Sequence, residues 1–436
     1  MRTIFPTLTL LFAFLCPSAG FSVDDKKIAT EIDREVEKIR MEMVKIRRLI
    51  HMDPQLPGRE QETAKIVASR LSALGLEVKT NIAGSGVTGL LRGAQPGPVI
   101  GLRAEMDAMP IQEMADVPFK SVNGGVMHAH GHDLHVAIAL GTAYVLNGLR
   151  NQMKGAVIFI FQPGTDPADP ARESGASRMI KEGVLDSPPV NIILGFHVWP
   201  EALGQVYSAS GPILAASDSF EIDIKGRPAQ ASQPQEGVDA IVLAAQVINA
   251  LQTIVSRSVE PTDPASLTIG RIAGGTKADL VSDRVWMDGI LRTMNDATRR
   301  KVQRLMEAAV KGTTQAFGGD YSLTFRQSVP AVSNHPELFA SLLPALNAAS
   351  GDRTVQTLGP QMMSDDFSFY GRKIPGLFFF LGTKNSRTAP APLDSPYFNP
   401  DERSIPIGIK ILSHVILDCL EQQSRLTDSA GIKLDK

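Results

Sequence analysis

Residues 99–110 read VIGLRAEMDAMP. The first four form a short apolar run without polar alternation, the pattern of a strand buried on both sides. The run then breaks into charged residues: Arg103, Glu105 and Asp107. The same grammar recurs at 156–161, 192–198 and 377–381, and each run ends in a loop with polar or charged residues. Upstream, residues 25–52 carry Ile28, Ile32, Val36 and Ile39 at helical spacing, and residues 60–75 carry Thr63, Ile66, Val67, Leu71 and Leu74. Apolar strands alternating with helices predict an α/β fold, with a mixed, mainly parallel sheet covered on both faces.

The stretch 217–328 has a different rhythm. Phe220, Ile222 and Ile224 alternate with Glu221, Asp223 and Lys225, as in a half-buried strand. A helix follows, with Ile241, Ala245, Ile248, Leu251 and Ile254 expected on one face. Two strands (266–272 and 284–292), a helix with Val302, Leu305, Met306 and Ala309, and a strand with Tyr321, Leu323 and Phe325 complete the series. The order strand, helix, strand, strand, helix, strand is the βαββαβ, ferredoxin-like unit. The predicted division is therefore 25–216 and 329–425 for one catalytic domain, with 217–328 inserted between its halves. Residues 426–436 are left as a tail.

Composition narrows the function. The chain has 436 residues, enough for two cores, and a formal net charge of -2. No basic stripe suits nucleic acid or an anionic membrane surface. At the N-terminus, Arg2 precedes an apolar run over 8–16, interrupted only by Thr9, and then Pro17, Ser18, Ala19 and Gly20. This is the layout of a signal peptide over 1–20, too short for a stable membrane span, and it predicts export to a periplasm or beyond the cell. Only Cys16 and Cys419 are cysteines. Removing the leader leaves one, so the mature chain can form neither an internal disulfide nor a cysteine-rich metal site. Any metal must be held by His, Asp or Glu.

Four of the eight histidines lie in MHAHGHDLH, residues 127–135. Neutral imidazole ligates metals, a neighbouring carboxylate fixes its tautomer, and Gly131 lets the loop bend so that side chains converge. FQPGTD, residues 161–166, and GFHVWP, residues 195–200, also leave strand ends, where open α/β sheets collect their sites.

These motifs, in order, resemble the metal-dependent amidohydrolase and aminoacylase family that includes hippurate hydrolases, bacterial carboxypeptidases and plant auxin-conjugate hydrolases. RAEMDAMPIQE resembles RADMDALPIQE, and MHAHGHDLH resembles MHACGHDGH. FQP, GFHVWP, ALQTIVSR, GGT, GILRT and DDFSFY also have counterparts, over residues 35–420. The resemblance implies two divalent ions, zinc or manganese, that activate a water for attack on the amide of an N-acyl amino acid or small peptide. It implies a lid or dimerisation role for the inserted domain, and so a homodimer. The five ligand positions fall on His130, His132, Asp166, His197 and Asp394, where the family's cysteine, glutamate and last histidine have become His130, Asp166 and Asp394. The general-base glutamate position is Thr165, whose hydroxyl cannot accept a proton near neutral pH. The lid histidine is Gln230, the lid asparagine is Asp279, and the glutamate of the EDF motif is Asp365. Asp107 and Asp133 are kept, as is Arg292, which suits a substrate carboxylate. The expected function is a metal-dependent amidohydrolase with a rebuilt centre, in which either a metal-bound hydroxide forms without the usual base or Asp169, Glu173 or Glu105 replaces it. The alternative is an impaired relative that binds metal and acylated amino acids without efficient hydrolysis.

Overall fold

A computed structural model describes residues 23–165, 173–351, 353–387 and 391–429. The expected leader lies outside them, as do Asp166, Asp169 and the chain end.

The chain opens with α1 (Val23–Met52), α2 (Gln61–Ala73), β1 (Glu77–Ile82), β2 (Gly86–Arg92), β3 (Gln95–Glu105) and α3 (His132–Gly148). It continues through β4 (Lys154–Gln162), α4 (Gly175–Lys181), β5 (Ile192–Trp199), β6 (Val206–Ser208) and β7 (Gly211–Leu214). The next stretch holds β8 (Ala216–Lys225), β9 (Ala229–Gln230), α5 (Ala240–Ser258), β10 (Ala265–Gly274), β11 (Leu280–Val281), β12 (Arg284–Thr293), α6 (Asp296–Ala316) and β13 (Asp320–Val329). Last come β14 (Val332–Asn334), α7 (Pro336–Ala349), β15 (Gln356–Thr357), α8 (Phe367–Gly371), β16 (Gly376–Gly382) and α9 (Ser404–Ser429).

The large sheet has the order β1-β2-β4-β3-β5-β16-β6-β15. Its centre, β4-β3-β5-β16, is parallel, and antiparallel pairs flank it. The parallel strands match the apolar runs expected from the sequence. Their side chains alternate between two cores, as the two-residue period of a strand demands. Val157, Phe159 and Phe161 of β4 join Leu377, Phe379 and Leu381 of β16 against α1, α3 and α9. Ile158 and Ile160 join Phe378 and Phe380 on the other face, with Met179 of α4 and Phe367 and Tyr370 of α8.

The strand-rich stretch forms a second, four-stranded antiparallel sheet of order β10-β12-β8-β13, with α5 and α6 packed on it. Its own core includes Phe220, Ile222, Leu251, Met287, Val302 and Met306. One expectation holds only in part: Leu251 and Ile254 are buried and Ile248 packs on the core, but Ile241 and Ala245 are not on that face. The buried face of α5 is Ala240, Leu243, Ala244, Val247, Leu251 and Ile254, while Ile241 is 50% exposed and Ala245 also faces outward. The helix is apolar almost all round, so periodicity admits two phases, and packing on the sheet selects one.

Candidate metal centre

The site forms where β3, β4 and β5 end. Glu105 pairs with Gln162 across β3 and β4, and the next residues turn out of the sheet. Gly131 brings the histidine loop to this edge. It has φ 79°, and a Cβ there would lie 2.6 Å from Val198 Cγ2, so only glycine fits. Helix α3 starts immediately afterwards at His132.

Hydrogen bonds fix which imidazole nitrogens remain available. The His132 Nδ1–H donates to the Asp107 carbonyl at 2.8 Å, with Asp107 Oδ1 at 3.1 Å, so Nε2 is the nitrogen left for a ligand. Burial pushes this ring down, but Asp107 more than offsets it and holds it up at about 9, so a metal there would displace a proton. The His197 Nδ1–H donates to the Val198 carbonyl at 2.7 Å, and burial keeps this ring neutral, so its Nε2 keeps a lone pair. His130 Nε2 lies 2.6 Å from Asp394 Oδ1. The His130, His132 and His197 rings form a triangle, with centroid separations of 5.6, 5.7 and 6.0 Å. Asp394 has φ 64°, a left-handed conformation uncommon outside glycine and concentrated at functional sites. Of the five expected ligands, the rings of His130, His132 and His197 are neighbours and Asp394 lies against His130, but only His132 and His197 place ligand atoms within 4.8 Å of each other in a shared group. Asp166 lies outside the described residues.

Glu105, His132, His135 and His197 also place one ligand-type atom each within 4.8 Å of one another. Two of these four are already committed. His135 Nε2 accepts the Val198 N–H at 3.0 Å, and its Nδ1–H donates to Glu105 Oε2 at 2.8 Å. Burial holds the His135 ring well below its usual range, so it is neutral. Glu105 Oε1 receives a short hydrogen bond from Arg103. His135 and Glu105 thus pin the end of β5 that carries His197. His135 was not among the expected site residues. Its signal was its place three residues after His132, one helical turn on.

Carboxylates set the field. Burial alone would raise the Asp107 carboxyl, but His132 beside it and the Thr165 hydroxyl hold it well below the usual range. The Thr165 hydroxyl donates to Asp107 Oδ2 at 2.7 Å, and the Thr165 N–H reaches the same oxygen at 3.1 Å. Both Asp107 oxygens are therefore occupied. Arg103, fully buried, also pairs with Asp366 at 2.6 Å and Asp365 at 3.0 Å. Burial pushes Asp366 up to about 6, against the pull of Arg103. Behind α3, Asp133 pairs with Arg47 at 2.6 Å and His51 at 2.8 Å, and His51 reaches Glu113 at 3.1 Å.

The expected substrate groups divide. Arg292 Nη1 donates to Ser364 Oγ at 2.6 Å, next to Asp365 and so beside the Arg103 cluster. Gln230 and Asp279 sit at the two-stranded β9–β11 ladder, where the Ala231 N–H meets the Asp279 carbonyl at 3.0 Å. Asp279 pairs with Lys277. Among the described residues these two bond at or near that ladder and not to the histidine cluster.

Residues 101–418 match the model of peptidase family M20/M25/M40. The chain belongs to this family. It is 34% identical to thermostable carboxypeptidase 2 of Saccharolobus solfataricus, covering 89% of this chain and 98% of that protein. It is 37% identical to an N-acyl-L-amino acid amidohydrolase of Geobacillus stearothermophilus, over 70% of this chain and 82% of the relative. A solved M20 structure from Bacillus subtilis, described as a dinuclear metal binding peptidase, superposes with a TM-score of 0.75 at 31% identity, covering 88% and 99% of the two chains. By family this M20 chain is a metal-dependent amidohydrolase or peptidase. The donor set fits that membership: Nε2 of His132 and of His197 bonds to none of the described residues, carbonyl or carboxylate partners hold their other nitrogens, and the His130–Asp394 pair lies beside them.

Proposed function

We infer that this M20 protein hydrolyses the amide bond of N-acyl amino acids or small peptides at a centre of two divalent ions. His130, His132, His197, Asp394 and Asp166 would hold the ions, zinc or manganese. The observation that carries this reading is the convergence of His132 and His197, each held at Nδ1 by a carbonyl with Nε2 bonded to none of the described residues, in a buried group of ligand atoms within 4.8 Å. Bound metal supplies Lewis acidity and lowers the pKa of water. The protein supplies the rest: Asp107 holds His132 at Nδ1, and Arg292, now bonded to Ser364, would pair a substrate carboxylate.

The proton acceptor has been rebuilt in this reading. The Thr165 hydroxyl is spent as a donor to Asp107. Of the three carboxylates considered as substitutes, Glu105 has both oxygens held, and exposed Glu173 pairs with Lys181. Asp169 is the third, outside the described residues.

The test is elemental analysis of the purified protein together with turnover of a panel of N-acyl amino acids. Two divalent ions per chain with turnover are expected, and a protein with neither would sink the reading. A Thr165→Glu variant tests the rebuilt acceptor. Little gain or a loss is expected, whereas a rise approaching the roughly 10²–10⁴-fold worth of a general base would show a centre that lacks one.

The proposed assembly is a homodimer through the small sheet. Strand β10 lies at its edge, and Ile272 on β10 and Ile241 and Val242 on α5 are all at least half exposed.

A further inference from the structure

Glu60 precedes α2 and belongs to none of the motifs above. It is fully buried. Its Oε1 accepts the N–H of Gly58 at 2.9 Å and the N–H of Gly164 at 2.8 Å, and its Oε2 accepts the Ser85 hydroxyl at 2.6 Å. A buried carboxylate is costly unless its lone pairs are satisfied, so three short bonds at one carboxyl are a built feature. Burial and the nearby Asp107 charge still push Glu60 above its usual range.

The Gly164 bond gives this feature its reach. Gly164 directly precedes Thr165, whose N–H and hydroxyl both end on Asp107 Oδ2. Asp107 Oδ1 in turn lies against His132 Nδ1. A path of hydrogen bonds, joined by the Gly164–Thr165 peptide link, therefore runs from Glu60 to an imidazole of the centre. The segment before α2 braces the other strand-end loop too: the Ala108 N–H donates to the Gln55 carbonyl at 2.8 Å.

We propose that Glu60 is a positioning residue of the metal centre, acting through the Gly164–Thr165 turn to hold Asp107 on His132. The inference rests on the metal reading of the site. Partners of metal ligands typically contribute about 10–100-fold in metal affinity, and Glu60 contributes on that scale at one remove.

The test is zinc affinity, measured by competition with a chelating dye, for wild type, Glu60→Ala, Glu60→Gln and Thr165→Val, with apo-protein melting recorded alongside. Glu60→Ala should weaken zinc binding about tenfold or more. Glu60→Gln keeps an acceptor oxygen for both backbone N–H groups and should stay near wild type. Because Glu60 and Thr165 act along one path, the double variant Glu60→Ala/Thr165→Val should lose less than the two single losses combined. Should Glu60→Ala not fold, Glu60→Asp, which withdraws the carboxylate by one methylene, takes its place in the same comparisons. Wild-type zinc affinity in Glu60→Ala or Glu60→Asp overturns the proposal, as does a loss that Glu60→Gln shares or that adds fully to Thr165→Val. A wild-type protein that binds no zinc would instead sink the metal reading itself.

Discussion

At the scale of single residues, this protein separates groups that face the centre from groups that hold them. His132 and His197 give Nδ1 to a backbone carbonyl, and Nε2 of each bonds to none of the described residues. His135 has both nitrogens bonded. The histidines were legible in the sequence, because four within eight residues is a dense signal. Their division of labour was not, since it depends on Glu105 and Val198, which are 30 and 63 positions from His135. His51 gives a residue-scale prediction. Burial and Arg47 push its ring down, but Asp133 and Glu113 more than offset them, and its pKa is raised. The folded state therefore binds the proton more tightly than the unfolded chain, whose histidine titrates near about 6.5. This stabilisation is complete below that value and is lost as pH rises through the higher folded value. His51→Gln should lower the melting temperature more at pH 6 than at pH 8.5, and an equal drop at both would refute the assignment.

At the scale of elements, β4 and β16 show how a continuous apolar run becomes two faces. Neighbouring side chains enter different cores, so neither face needs polar alternation. The sequence could therefore show these strands but not which residue enters which core. The α5 helix shows the complementary limit. Its apolarity would even suit a membrane span by length and composition, yet Leu243, Val247 and Leu251 pack it on the four-stranded sheet. The observed phase predicts that Leu243→Ala, at a buried position outside the expected face, costs about 2–5 kcal/mol in urea unfolding. Ile241→Ser should cost less than about 0.5 kcal/mol, as an exposed substitution does. The reverse order would restore the phase expected from periodicity.

At the scale of the whole molecule, the metal centre draws on distant parts of the chain. Its candidate donors run from His130 to Asp394, so a metal would tie the histidine loop, β5 and the segment before α9 together. Metal binding should then stabilise the entire large sheet. At free metal about 100 times Kd the gain is about 2.7 kcal/mol. Chelation should lower the melting temperature and zinc should restore it, while an unmoved transition would count against a centre of this kind. Assembly belongs to the same scale. Sedimentation is expected to show a dimer that Ile272→Asp converts to a monomer, and a monomeric wild type would end that proposal.

The sequence by itself determined the parallel centre of the large sheet, the βαββαβ order of the small one, and the histidine loop with its partner motifs at strand ends. Those features are written in local composition and period, which need no knowledge of distant partners. Tertiary structure decided the rest. It chose the phase of α5, spent both nitrogens of His135, turned Thr165 into a donor to Asp107, and set Glu60 against Gly164, 104 residues away. Each of these depends on which buried polar group finds a partner, and the low-dielectric interior enforces that pairing only once the chain has folded.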